Sequence, residues 1–491
     1  MKYIIGIDEG TTSARAVLFN VVKNQIEKIS RAPFKQYYPA DGWVEHDAEE
    51  IFSIVKSAIL EITQNLTDKD IYAIGITNQR ETVVAWSKKT GKPLYHAICW
   101  QCRRTANYCK KLKNSPLAKI VKAKTGLIPD SYFSASKIRW LLKNVPAVQL
   151  ALKKNDLLVG TIESYLTFKL TGGKSHVTDV TNASRTQLFN IHTLSWDNEL
   201  LELFGIPKHI LPTIVDNCQN VGIAKIGKLR IPICGLIGDQ QSSLFGQGCY
   251  KFGDIKNTYG TGSFLLVNTG SKPAQSENLL STVAYKIGNR VAYALEGSVY
   301  NCGTAIDWVC DDLKLVSSPQ EMDKLAGELG NNNGVYFVPA FTGLGCPYWN
   351  MDANGIITGL TRATTASHIA RAVLEGIAYS VYDVFKVLEK ESHSRPKHIY
   401  VDGGATKNNF LMQFQADMLN IEVDVTDGES TSLGAIYLAG LCSGAYKSLE
   451  EIKEKIEIKK IYIPLSPKYE MKKNLEGWKK AIKQCLTESV E

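Results

Sequence analysis

One pattern occurs twice in this chain, and it restricts the fold more than any other feature. Near the N-terminus an apolar run, Tyr3 to Ile7, leads into Asp8-Glu9-Gly10-Thr11-Thr12-Ser13, and a second apolar run, Ala14 to Phe19, follows. About 250 residues later Asp254 to Tyr259 leads into Gly260-Thr261-Gly262-Ser263 and then Phe264 to Asn268. Each copy reads strand, Gly/Thr turn, strand. Glycine lets backbone come close to a ligand, successive N–H groups form an anion-binding nest, and hydroxyls add donors for phosphate oxygens. Asp8, at the strand end, is placed to hold a hydrated Mg²⁺, and Arg15 beyond the turn adds positive charge. Either copy alone is equally an ordinary hairpin with a polar turn. Two copies imply a duplicated domain with a cleft between the halves, which predicts domains at residues 1–245 and 246–491.

At 491 residues the chain is too long for one ordinary core. An apolar fraction of 44% and a charged fraction of 22% are those of a soluble globular protein. No uninterrupted apolar window of about 18 residues exists, so no membrane span is expected. The N-terminus meets an acid at Asp8, too soon for a signal peptide. The net charge of +8 is scattered, without a basic block interleaved with aromatics, which argues against nucleic acid as a partner. Eleven cysteines, without a framework, suit free thiols and a cytoplasmic location. Cys99 and Cys102 form a lone CxxC with no second ligand pair for zinc.

Phosphate chemistry needs a nucleophile and a base, and the chain's middle offers the base. The apolar run Ile231 to Ile237 reads as a buried strand ending at Gly238, and Asp239-Gln240-Gln241 follow where a helix starts. A carboxylate at a strand's C-terminal edge is where open α/β sheets do chemistry; an N-cap aspartate is the ordinary alternative. Similar strand ends carry Arg80-Glu81, after the strand Ile71 to Ile76, and Trp100, after Ile98. The Arg-Glu pair suits the hydroxyls of a polyol, Trp100 its carbon chain, and Tyr132 one more hydroxyl contact; a solvated surface pair and a core or loop-anchoring tyrosine are the ordinary alternatives. Thr178 to Phe189, with Asn182-Ala183-Ser184-Arg185, reads as a polar loop near the cleft. Gly297 to Trp308, including Gly303, reads as the opening of a helix. Asp402-Gly403-Gly404 suits close approach of backbone to phosphate or ribose, with Asn408 facing a base. Beyond about Glu450 the chain reads as charged and largely helical, a peripheral cap. No Walker A loop and no GxGxxG is present.

Taken in order, Asp8 to Ser13, Gly238 to Gln241, Gly260 to Gly262 and Asp402 to Gly404 resemble the sugar-kinase branch of the actin/hexokinase/heat-shock-chaperone superfamily, the FGGY carbohydrate kinases. Thr77 to Thr82, Trp100 to Thr105, Thr181 to Thr186 and Phe341 to Trp349 narrow the resemblance to the glycerol kinases. The resemblance implies an α/β fold of two ribonuclease H-like, actin-like ATPase domains and ATP-dependent phosphorylation of glycerol to sn-glycerol 3-phosphate. It implies Asp239 as general base; Arg80, Glu81, Trp100, Tyr132, Asp239, Gln240 and Phe264 at glycerol; and Thr11, Thr12, Ser13, Arg15, Thr261, Gly303, Gly404 and Asn408 at ATP. Asp307 stands where some relatives carry a nucleotide-contacting glutamine. Asp8 and Asp239 are implied as Mg²⁺ positions, and a homodimer as the assembly. The short Lys225 to Arg230 segment and the absence of histidine at Asp216 to Gln219 imply that neither fructose bisphosphate nor histidine phosphorylation regulates the chain.

Overall fold

A computed structural model describes residues 1–350, 352–426 and 428–486. Its first large sheet holds β1 (Tyr3–Glu9), β2 (Ser13–Asn20), β3 (Gln25–Pro33), β4 (Ile71–Asn78), β5 (Cys218–Ile226) and β6 (Leu229–Gly238), in the order β5-β6-β4-β1-β2-β3. The second holds β7 (Ile255–Tyr259), β8 (Ser263–Gly270), β9 (Leu280–Ile287), β10 (Arg290–Val299), β11 (His398–Asp402), β12 (Glu422–Thr426) and β13 (Ile458–Tyr462), in the order β9-β10-β8-β7-β11-β12-β13. Both contain the same five-strand core. Three antiparallel strands (β3-β2-β1 and β10-β8-β7) are followed by two parallel additions (β4-β6 and β11-β12).

β1 is apolar on successive residues because both its faces are covered. Ile5 and Ile7 point into a cluster with Ile51, Val55 and Ile59 of α1 (Ala48–Ile62), which Asp47 caps through the Glu49 and Glu50 amides. Ile4 points to the other face, into a cluster that both halves build. That cluster holds Leu244 and Phe245 of α2 (Asp239–Gly246), Leu266 and Ala294 of the second sheet, and Ile436 and Leu438 of α5 (Ser430–Ser443). Gly6, Gly75 and Gly235 lie side by side on β1, β4 and β6 and let α5 approach the sheet. A Cβ on Gly75 would sit 2.1 Å from the Ala435 carbonyl oxygen. The far face of the second sheet is covered by α3 (Ala366–Ser392), α4 (Asn409–Leu419) and α6 (Lys468–Leu486), through residues such as Leu374, Phe385, Met412 and Trp478.

Two segments differ from the sequence reading. Thr178 to Phe189 is not an open loop. Val177–Asp179 is a strand and Val180–Ala183 a helical turn, both almost wholly buried, because their polar groups satisfy one another. Asp179 caps the turn and accepts from Asn182 (2.6 Å) and Asn217 (2.9 Å), and Asn182 exchanges amide bonds with Asn78. Gly297 to Val299 completes β10, and the helix opens only at Gly303, running as Gly303–Asp307 and on through the π-helical turn Trp308–Asp312. The C-terminal region is largely helical as read, with the short strand β13 pairing antiparallel with β12 at the sheet edge.

Candidate active site

β1, β4 and β6 are parallel neighbours, so their C-terminal ends meet on one edge of the sheet: Asp8 pairs with Thr77, and Gly238 with Asn78. Asp239 follows directly from β6. It does not cap its helix; Gly238 holds the cap position, and among the described residues the carboxylate accepts a hydrogen bond only from the adjacent Gln240 amide, at 2.7 Å. The Thr181 hydroxyl accepts from the Gly238 N–H at 2.9 Å and so fixes where Asp239 stands. Asp239 keeps 28% side-chain exposure and lies 3.2 Å from Arg80 Nε. Surrounding protein lifts its pKa to about 6 and Glu81 adds to the lift, against the pull of Arg80.

Arg80 and Glu81 connect β4 to the strand Val83–Ser87 of a smaller sheet inserted in the first half. Both are about 1–2% exposed, and Glu81 is held at φ 61°, a left-handed conformation that costs a non-glycine residue roughly 1–2 kcal/mol. A buried ring of charge holds them. Arg80 donates to Glu296 at 2.6 and 3.1 Å, Arg185 donates to Glu296 at 2.9 Å, and Arg185 Nε donates to Glu81 at 2.6 Å. Burial pushes the Glu296 carboxyl up, but Arg185 and Arg80 outweigh it and hold it near 2. Both arginine groups are kept charged by these carboxylates in spite of burial.

Trp100 and Tyr132 meet edge to face at 5.4 Å, and the Arg185 guanidinium lies 5.7 Å from the Tyr132 ring. The Trp100 Nε1–H donates to Thr11 Oγ1 at 3.0 Å, tying this aromatic pair to the first Gly/Thr turn. Burial raises the Tyr132 hydroxyl's pKa, so it stays protonated. Phe264 lies on β8 against the shared core, away from ring contact with Trp100 or Tyr132.

In the first turn the Gly10 N–H donates to the Ser13 carbonyl, Thr12 is exposed, and Thr11 and Ser13 are half-buried. Arg15 does not present a bare charge there: it pairs with Asp8 at 2.5 Å and with Glu429 at 2.6 Å. In the second turn Thr261 is exposed, and the Gly303 N–H donates to the Gly260 carbonyl at 2.9 Å. A Cβ on Gly303 would fall 2.8 Å from that oxygen, so only glycine lets the helix start abut the turn. Asp307 is exposed where the α-helical turn passes into the π-helical turn Trp308–Asp312. After β11, Gly403 takes φ 98°, and Gly404 opens onto free space. Asn408 caps α4 through Oδ1, which accepts the Leu411 N–H at 2.8 Å, while its buried Nδ2 has no partner among the described residues.

The structure thus joins Asp239, Gln240, Arg80, Glu81, Trp100, Tyr132 and Thr11 in one contact network. It sets Thr261 and Gly303 in a second group, and Gly404 and Asn408 in a third. Three members escape sequence reading. Arg185 lies in the stretch read as a loop, and Glu296 and Lys256 lie inside strands of the second half. Only their charge in otherwise buried segments marks them. The Cys99 and Cys102 thiols are buried and free, and burial pushes Cys99 up to about 12, which makes it a poor thiolate.

Residues 3–246 match the N-terminal domain, and residues 255–442 the C-terminal domain, of the FGGY family of carbohydrate kinases. The chain is 48% identical to glycerol kinase 2 of Thermotoga maritima, with 99% of each chain covered. It is 49% identical to the glycerol kinase of Treponema denticola, again over 99% of each. The crystal structure of Plasmodium falciparum glycerol kinase with ADP superposes with a TM-score of 0.93 at 37% identity, covering 100% of this chain and 99% of that one. With both family domains matched in order and these relatives aligned end to end, the chain belongs to the FGGY family of carbohydrate kinases.

Proposed function

We propose that this protein transfers the γ-phosphoryl group of ATP to a terminal hydroxyl of glycerol, giving sn-glycerol 3-phosphate and ADP. The observation that carries this reading is the Asp239 carboxylate, unused as a helix cap, with a pKa near 6 beside Arg80 at the meeting of three strand ends. A base poised near working pH suits removal of a hydroxyl proton. Arg80, Glu81, Tyr132 and Gln240 bind the glycerol hydroxyls, and Trp100 and Phe264 wall its carbons. ATP lies with its γ-phosphate between the two Gly/Thr turns, contacted by Thr11, Thr12, Ser13, Thr261 and Gly303. Gly404, Asn408 and Asp307 lie on its nucleoside side. Arg15 acts chiefly by orienting Asp8, since it already carries two carboxylate partners.

Phosphoryl transfer asks for positioning and charge stabilisation. Arg80, held by Glu296, orients the alcohol; Asp239 accepts its proton as the oxygen attacks in line; the backbone N–H groups of the turns meet the phosphate charge. Exclusion of water by closure of the halves limits wasteful hydrolysis. The site suits Mg²⁺: Arg15 and Ser432 both bond Asp8 through Oδ2, leaving Oδ1 as a hard oxygen donor, with Asp239 as a second. When bound there, Mg²⁺ supplies charge neutralisation on the nucleotide phosphates. The reading includes a cytoplasmic location, supported by eleven free thiols, a domain boundary between residues 245 and 246, and a homodimer that rests on the family resemblance alone. Among the described residues no helix is long and apolar enough to cross a membrane.

The test is ADP release by the purified protein with and without glycerol, with the product identified. One glycerol 3-phosphate per glycerol-dependent ADP is expected. Stimulation by a pentulose and not by glycerol overturns the substrate assignment and keeps the phosphate sites.

A further inference from the structure

Lys256 lies inside β7 and is fully buried, at a position where an apolar side chain would cost far less. Its ammonium group donates to Gln240 Oε1 at 2.7 Å and to Thr258 Oγ1 at 2.9 Å. Thr258 in turn meets Ser243 at 3.0 Å, and Ser243 donates to Asp402 at 3.3 Å. Burial pulls Lys256 down to about 8, while Asp402, Glu296 and Asp239 support its charge. Gln240 belongs to the first half and Lys256 to the second, so this bond joins the proposed alcohol site to the strand that carries the second phosphate turn.

An amide side chain carries one acceptor oxygen and a two-proton donor, and nothing intrinsic decides which end faces a ligand. An ammonium can only donate. Lys256 therefore takes the oxygen end and turns Nε2 of Gln240 outward. We propose that Lys256 is a positioning residue for phosphoryl transfer, locking Gln240 as a donor-only ligand of the alcohol. A hydroxyl bound by Gln240 must then accept there and direct its own proton elsewhere. Asp239, the preceding residue, takes it. This deepens the proposed function and rests on Gln240 as a ligand of the alcohol.

A double-mutant cycle tests it, run with whichever alcohol the wild type phosphorylates. Lys256→Met is expected to raise the alcohol KM about 10-fold while leaving the ATP KM within about 2-fold. In a Gln240→Ala background the same substitution is expected to change the alcohol KM by less than about 2-fold, because no amide remains to orient. Lys256→Arg, which keeps a donor, is expected to recover most of the loss. Equal fold-changes in both backgrounds, or an unchanged alcohol KM, overturn the proposal, since a merely structural lysine predicts additivity. Should Lys256→Met fail to fold, Lys256→Leu, which likewise cannot donate, reads the same cycle. Loss of glycerol use with retained pentulose use removes the glycerol reading and still leaves the cycle to decide Lys256.

Discussion

Arg80 and Glu296, 216 residues apart in the chain, are joined by two buried hydrogen bonds of 2.6 and 3.1 Å. Glu296 also takes Arg185, so one carboxylate from the second half anchors two cations of the first. Glu296→Gln keeps the shape but leaves two buried guanidinium groups under-compensated. We expect a loss of about 3–5 kcal/mol of stability and a raised KM for glycerol. Urea unfolding and steady-state kinetics check both, and an unchanged midpoint contradicts the anchoring role.

Asp239→Asn should lower kcat at least about 100-fold, the scale of a positioned base. Circular dichroism should remain that of the wild type, because the carboxylate caps nothing. Near-normal turnover would refute the assignment.

The Asp239 pKa near 6, above the ordinary 3.8, has two consequences of known sign. A base works deprotonated, so kcat/KM should fall tenfold per pH unit below about 6, and this limb should vanish in Asp239→Asn. A carboxyl whose folded pKa exceeds its unfolded one binds more protons when folded between those values, so ionising it removes stability as pH rises through that window. Asp239→Asn should therefore melt higher than wild type at pH 8, with the advantage shrinking as pH falls through 6 and gone below about 4. Paired melting curves across pH provide the check.

Asn408 caps α4 with its oxygen and leaves a buried donor unpaired among the described residues. Asn408→Asp keeps the acceptor and removes the donor. The melting temperature should hold, whereas Asn408→Ala should lose about 1 kcal/mol with the cap. A raised ATP KM in Asn408→Asp at unchanged stability separates nucleotide contact from capping. An unchanged ATP KM leaves Asn408 a cap alone.

Local sequence was enough to locate both Gly/Thr hairpins, the strand ends bearing Asp8, Arg80 and Asp239, and the duplication itself. Each depends on contiguous residues: apolar runs that must be buried, glycines where backbone must pass closely, and carboxylates at strand ends. Tertiary structure alone decided which groups hold those residues in place. Arg185, Glu296 and Lys256 become part of the site only when two sheets and the segment at 177–186 fold against one another. Arg80 and Arg185 find their carboxylate partners 100 or more residues away. Arg15 likewise takes a distant carboxylate, Glu429, beside its near neighbour Asp8, whereas the Asn408 cap on Leu411 is local. The residue types that can do chemistry are written locally; their charge state, orientation and free hydrogen-bonding atoms follow from long-range packing.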